Sequence, residues 1–212
     1  MTVTVAEIEV ADASDAWKRA GFSVDSDDVC RVGGVDIRLT GPVRGSGIVG
    51  WSLRGLPGNS ADELDGIPTT RSDAVVSMPA LHPNGVIAID HVVLLSPDLR
   101  RTVESLTTIG VEPRRERHAQ LGGRSMRQVF FRAGEVIIEV VGSPETASEG
   151  PSTLWGITYV VADIDATAAY LGDRTAPVKD AVQPGRRITT LRHRELGISV
   201  RSAMISSHIR DC

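Results

Sequence analysis

Two stretches of the chain share one pattern sixty-five residues apart, and this repeat limits the fold more than any other feature. Residues 88–113, AIDHVVLLSPDLRRTVESLTTIGVEP, open with a β-type apolar run from Val92 to Leu95, after which Leu99, Val103 and Leu106 recur at helical spacing. Residues 154–173, LWGITYVVADIDATAAYLGD, repeat the pattern without a gap. Asp98 falls on Asp163, Leu99 on Ile164, Thr102 on Thr167, Val103 on Ala168 and Leu106 on Leu171. Matches on both helix faces exceed what periodicity alone requires, so a duplicated β-α unit is expected. Ser96 and Pro97 suit the N-cap and first helical position, and Gly110 suits the helix end.

The segments C-terminal to the two helices are also alike. Residues 126–142 and 186–205 both read as a strand, a tight turn at Gly134 or near Gly197, and another strand. A strand near 112–118 completes a β-α-β-β-β unit in the first copy, and a weak strand near 176–182 completes the second. A fainter third copy lies upstream: CRVGGVDIRLTGP (30–42) aligns with FRAGEVIIEVVGS (131–143), Arg31 on Arg132, Gly33 on Gly134, Ile37 on Ile138 and Gly41 on Gly142. With the strand VTVAEIEVAD and helix SDAWKRAG before it and the strand GIVGWSLRGL after it, residues 1–56 read as a degenerate N-terminal βαβββ unit. Residues 57–85, rich in Pro, Gly, Ser and Asp, are expected to form a linker or long surface loop. The expected fold class is α+β, with a paired domain over 86–205 and a tail over 206–212.

Composition narrows the function by exclusion. A formal net charge of −4 argues against a broad nucleic-acid footprint, which is normally basic. No apolar run approaches the roughly 18 residues of a membrane span, and MTVTVAEIEVAD lacks the basic start and apolar core of a signal peptide. A cytoplasmic protein without a membrane partner is therefore expected. The two cysteines, Cys30 and Cys212, are too few for a disulfide framework or a zinc site.

Tandem units carrying DHVVL, PDLRRTVESLTTIGVE and FFRAGEVIIEVVG resemble the glyoxalase, bleomycin-resistance and extradiol-dioxygenase superfamily, the vicinal oxygen chelate fold, over about residues 86–205. The resemblance implies a cupped mixed sheet around one pocket, in a superfamily of lyases, epimerases, dioxygenases and metal-free drug-binding proteins. Its metal-dependent members take a His or Gln from the first strand of each unit and a Glu from the last, positions that His91 and Glu139 hold here. The third unit offers Gly156, then Ser202 or Arg201; the N-terminal unit offers Arg38, with Glu7 or Glu9. One chain thus supplies two ligands where catalytic zinc takes about three. Solvent, His118, His193 or the second subunit of a homodimer would have to complete a divalent Zn, Ni, Mn or Fe site; the alternative is a pocket without metal.

Read by period two, His91 shares a face with Val93 and Leu95, and Glu139 with Ile137 and Val141. The two are candidates for a metal pair, for a general base with its orienter, or for a structural hydrogen-bonded pair. Arg127 and Arg186, and Gln183 in the turn that Pro184-Gly185 forces, are candidate ligand-binding residues. His82 is expected in a turn, and Trp17, Trp51 and Trp155 in the core or an interface. Only one of Phe130 and Phe131 can line the pocket. The expected function is a glyoxalase-like small-molecule enzyme of lyase, isomerase, epimerase or dioxygenase type, acting on an oxygen-rich or carbonyl metabolite through Glu139 and His91. The alternative is a metal-free small-molecule binding or sequestration protein of the bleomycin-resistance type.

Overall fold

A computed structural model describes residues 2–58, 62–121 and 123–207; Cys212 and the rest of the expected tail from 208 onward lie outside the described residues. The N-terminal half runs β1 (Thr4–Val10), α1 (Ser14–Arg19), β2 (Val29–Val32), β3 (Val35–Leu39), β4 (Ile48–Arg54), β5 (Glu63–Leu64) and β6 (Ile67–Arg71). The C-terminal half holds two units. The first is β7 (Val86–Leu95), α2 (Leu99–Thr108), β8 (Pro113–Leu121), β9 (Arg124–Ala133) and β10 (Val136–Gly142). The second is β11 (Thr153–Val161), α3 (Ile164–Leu171), β12 (Lys179–Asp180), β13 (Arg187–Thr190) and β14 (Arg201–Ser206).

In the C-terminal half the strands form one sheet in the order β12-β13-β14-β11-β7-β10-β9-β8. The first strand of each unit pairs in parallel with its last, and the two first strands meet antiparallel. The register explains the sequence repeat. Val93 faces Gly156 and His91 faces Thr158, and a shift of sixty-five residues carries one pair onto the other, which places a local two-fold axis between β7 and β11. The repeated Asp98 and Asp163 are the N-caps of α2 and α3: Asp98 accepts from the Arg101 amide at 3.1 Å, and Asp163 from those of Asp165 and Ala166. The cap of α2 is thus Asp98, two residues beyond the expected Ser96, whose hydroxyl instead meets that of Thr102 at 2.6 Å.

The N-terminal half holds more than one degenerate unit. β1 pairs in parallel with β3, which pairs with β2, while β4 lies antiparallel on the other side of β1, the place β11 takes beside β7. β6 is then parallel to β4, as β14 is to β11. So β4 starts a second, helix-less half, and β5 and β6 occupy part of the stretch expected to be a linker. This was hidden because residues 55–62 carry no helical period.

Apolar side chains fill the faces covered by helices: Val92, Leu94, Ile138, Val140, Ile157 and Tyr159 on the large sheet, with Leu106 and Leu171 above them. Trp17, Trp51, Ile8 and Ile37 form the N-terminal core, whereas Trp155 is 42% exposed. Each fully buried side chain of this size stabilises the fold by about 1.5–3 kcal/mol. Buried polar groups join the halves. Asp12 accepts from the Ser199 amide at 3.0 Å and from the Ser199 hydroxyl at 2.5 Å. Asp65 accepts from Arg101, Thr102 and Ser152. The tight turn expected near Gly197 is therefore a longer connection over 191–200, held by the N-terminal half.

Candidate functional site

The face of the large sheet that no helix covers carries His91, Val93 and Leu95 of β7 beside Ile137 and Glu139 of β10, all half-buried or nearly buried. Within a regular strand consecutive side chains point to opposite faces. β7 breaks that rule twice, at Ile87 and at Asp90. Its register with β11 slips between His91 and Ile89, leaving Asp90 as the extra residue of a β-bulge. Asp90 Oδ2 accordingly reaches its own neighbour, accepting from His91 Nδ1 at 2.7 Å.

A continuous polar row results. Arg117 Nε donates to Gln128 Oε1 at 2.6 Å, and the Gln128 amide donates to Glu139 Oε1. Glu139 Oε2 stands 3.5 Å from His91 Nε2. Beyond His91, Asp90 Oδ1 accepts from Arg186 Nη1 at 2.6 Å, and Arg186 Nε donates to the Ser206 carbonyl at 2.8 Å. Burial alone would push the Asp90 carboxyl up, but the bonds from His91 and Arg186 more than offset it and hold the group below the usual carboxylate range.

A cavity of about 300 Å³ opens beside this row, lined by Asp90, His91, Phe130, Ile137, Gln183 and Arg186, with Arg114, Arg115 and Arg132 around it. The structure thus brings together four of the residues singled out in the sequence: His91, Gln183 and Arg186 in the cavity wall, and Glu139 next to His91. Glu139 itself does not line the cavity. Phe130 and Phe131 both border it, contrary to the expectation of one, Phe131 being buried and Phe130 carrying the Arg115 guanidinium 4.8 Å above its ring. Arg127 corrects an expectation. It lies with Val129 on the helix side of β9, beside Leu99 and Val103 and 3.6 Å from Glu116, because strand alternation turns it away from Gln128 and Phe130. His118 is on the exposed strand β8, and His193 Nδ1 donates to the Ile198 carbonyl, 2.9 Å away, beside a second cavity of about 190 Å³. His82, expected merely in a turn, is buried and bonded on both ring nitrogens. Sequence reading missed Asp90; its only signal was a second ionisable group in the run AIDHVVLL.

The register also fixes what stands opposite. Glu139 pairs with Val93, two residues past His91, and Thr158, two past Gly156, pairs with Ala203. Ala203 is therefore the counterpart of Glu139, rather than Ser202 or Arg201. In the N-terminal half Glu7 and Arg38 hold the places of His91 and Glu139, and they bind each other at 2.8 Å. A side chain at Gly156 has no room, since a Cβ there would lie 2.8 Å from the Arg201 carbonyl oxygen. His91 and Glu139 are thus two ligating groups whose counterparts in the other unit are Gly156 and Ala203, and among the described residues no group of three or more His, Cys, Asp or Glu could hold a metal ion. This donor set does not fit the three-ligand shell that the resemblance implied.

Residues 90–190 match the family model described as the Glyoxalase/Bleomycin resistance protein/Dioxygenase superfamily. No curated protein sequence matches the chain. Among solved structures, a mutant 4-hydroxymandelate synthase from Streptomyces coelicolor is similar at 15% identity and a TM-score of 0.64, over 98% of this chain and 93% of that one. A catechol 2,3-dioxygenase is similar at 12% identity and 0.59, over 97% and 87%. A mutant homoprotocatechuate 2,3-dioxygenase from Brevibacterium fuscum stands at 13% and 0.58, over 98% and 71%. These likenesses span both halves and show a shared fold. Residues 90–190 are thus similar to the glyoxalase, bleomycin-resistance protein and dioxygenase superfamily, and the chain shares the fold of these solved structures.

Proposed function

We propose that the protein is a small-molecule enzyme that moves a proton on an anionic, carbonyl-bearing metabolite, with His91 as the group that meets the ligand. The observation that carries this reading is the buried Asp90–His91–Glu139 row beside an open cavity. Asp90 accepts from Nδ1 and so leaves Nε2 as the nitrogen that takes up or delivers a proton. Glu139, 3.5 Å away and held by Gln128, is the second proton-handling group. Together they suit removal of a proton from carbon next to a carbonyl, the C–H electron pair passing into an enolate until a proton returns. That is isomerase, epimerase or lyase chemistry. Arg114, Arg115 and Arg132 beside the cavity favour an anionic ligand.

Turnover of such a compound should fall by about 10²–10⁴-fold in His91→Ala and in Glu139→Gln, the range of acid–base contributions. Unchanged turnover in both variants would sink the assignment. A second reading, a metal-free binding protein, is favoured by the Gly156 and Ala203 positions, which leave the second unit without counterparts of His91 and Glu139. Stoichiometric binding of a ligand that is released unaltered would select it.

A further inference from the structure

Arg186 is 3% exposed and forms part of the cavity wall. Its Nη1 and Nε are engaged by Asp90 and by the Ser206 carbonyl, but its Nη2 is buried with no hydrogen-bond partner among the described residues. An unmatched buried donor on a permanent cation is destabilising, and native structures rarely keep one without a reason. The cavity wall offers no carboxylate to spare, its other side-chain acceptor being the neutral Gln183 amide. Asp90 is its one carboxylate, and both oxygens are taken, Oδ1 by Arg186 and Oδ2 by His91. The three surrounding arginines, Arg114, Arg115 and Arg132, form no ion pair among the described residues. The cavity is therefore short of negative charge at its base and at its mouth.

We infer that Arg186 anchors a ligand carboxylate, its Nη2, closed to solvent by the cavity wall, becoming the donor as that wall yields to the ligand, which makes the ligand a small carboxylic acid bound with its acid group against Arg186 and its remaining carbons against His91 and Phe130. The inference rests on the reading of this cavity as the ligand site and names the chemistry it selects. Gln183 lines the same wall beside Arg186, on the turn 181–186, which closes on itself through the Arg186 and Ala181 amides. Its amide is placed to donate to the second carboxylate oxygen. A cavity of about 300 Å³ sits at the small end of ligand pockets and suits an acid of a few carbons or a single ring.

The test is a pair of NMR titrations of the full chain, monitoring the His91 ring signals. Benzoate and pyruvate are compared with their neutral isosteres benzamide and pyruvamide, in wild type, in Arg186→Lys and in the double variant Arg114→Ala/Arg115→Ala. Lysine keeps the charge beside Asp90 but has no second guanidinium arm. The expected result is about tenfold tighter binding of the acids than of the amides in wild type, as a charge-assisted hydrogen bond gives. That preference should vanish in Arg186→Lys and persist in the double variant. Preference that survives Arg186→Lys, or is lost in the double variant instead, overturns the inference. Amides that bind as well as acids overturn it in wild type alone, without reliance on any variant folding; they also remove the preference for an anionic ligand but leave the proton-transfer roles of His91 and Glu139 standing. If neither acids nor amides move the His91 signals, both the inference and the site reading fail.

Discussion

Asp90 and His91 are neighbours in sequence, yet their side chains meet at 2.7 Å because β7 bulges between Ile89 and His91. The bulge places a carboxylate between two hydrogen-bond donors, His91 on one oxygen and Arg186 on the other. With Asp90 and Arg186 both nearly excluded from water, removing the carboxylate leaves a buried guanidinium unpaired. Asp90→Asn should therefore destabilise the fold by about 3 kcal/mol at neutral pH in urea denaturation.

The same substitution has a pH signature. The Asp90 carboxyl lies below its ordinary value of 3.8 in the folded protein, so its contribution is fully present above that value. It is lost as pH falls below 3.8 through the folded value. The gap between wild type and Asp90→Asn should be constant from neutral pH down to about 5 and close in more acid solution. A gap that widens on acidification would contradict the paired carboxylate.

His82 gives the opposite end of the scale. Its Nδ1 accepts from the Ser23 amide and its Nε2 donates to the Arg31 carbonyl, both at 3.0 Å, an arrangement only the neutral ring satisfies. Burial pushes its pKa below the usual 6.5, with the bond to the Arg31 carbonyl opposing. The unfolded chain takes up a proton below 6.5 and the folded one does so only at lower pH, so stability falls as pH drops from 6.5 toward the folded value. The urea midpoint should decrease between about pH 7.5 and 5.5 in wild type, and this part of the decrease should be absent in His82→Phe.

Restoring a histidine by symmetry should not restore a metal site. Gly156 matches His91 in the repeat, but a Cβ there would press on the Arg201 carbonyl at 2.8 Å. Gly156→His is expected to cost about 1–3 kcal/mol through overpacking and to leave zinc content far below one ion per chain. Stoichiometric zinc in this variant would show that β14 yields and that the backbone does not bar a second histidine.

Asp65 tests the joint between the halves. Its carboxylate is shared by Arg101, Thr102 and Ser152, so Asp65→Ala removes the acceptor common to two buried hydroxyls and a half-exposed guanidinium. A loss of about 2–4 kcal/mol is expected by thermal or urea unfolding. A change below about 0.5 kcal/mol would place the stability of the joint elsewhere.

Much of the large sheet was legible because its information is local and periodic. The repeat reported the local two-fold axis through its matched positions, Asp98 with Asp163 among them, although the cap of α2 was expected at Ser96, and period two put His91 and Glu139 on one face. Asp90 was not legible, since strict alternation sends it to the opposite face and a bulge leaves no mark in composition. Arg127 was assigned to the pocket by charge alone, although alternation with Val129 and Phe131 already pointed it toward the helices. Arg186 was identified as a ligand contact, while its bond to Asp90 links residues ninety-six apart and is a product of tertiary packing. In the N-terminal half the pairing of β4 with β6 lacked a helix to announce it.

The central claim is that His91 and Glu139 move a proton on a bound oxo acid without help from a metal. Deuterium exchange from D₂O into a panel of 2- and 3-oxo acids, monitored by NMR with chelator-treated protein, tests it most directly. The account predicts exchange at carbon next to the carbonyl of at least one acid, undiminished by the chelator and lost in both His91→Ala and Glu139→Gln. Exchange that appears only after loading with zinc, nickel, manganese or iron(II), or that is the same in all three proteins, would contradict it.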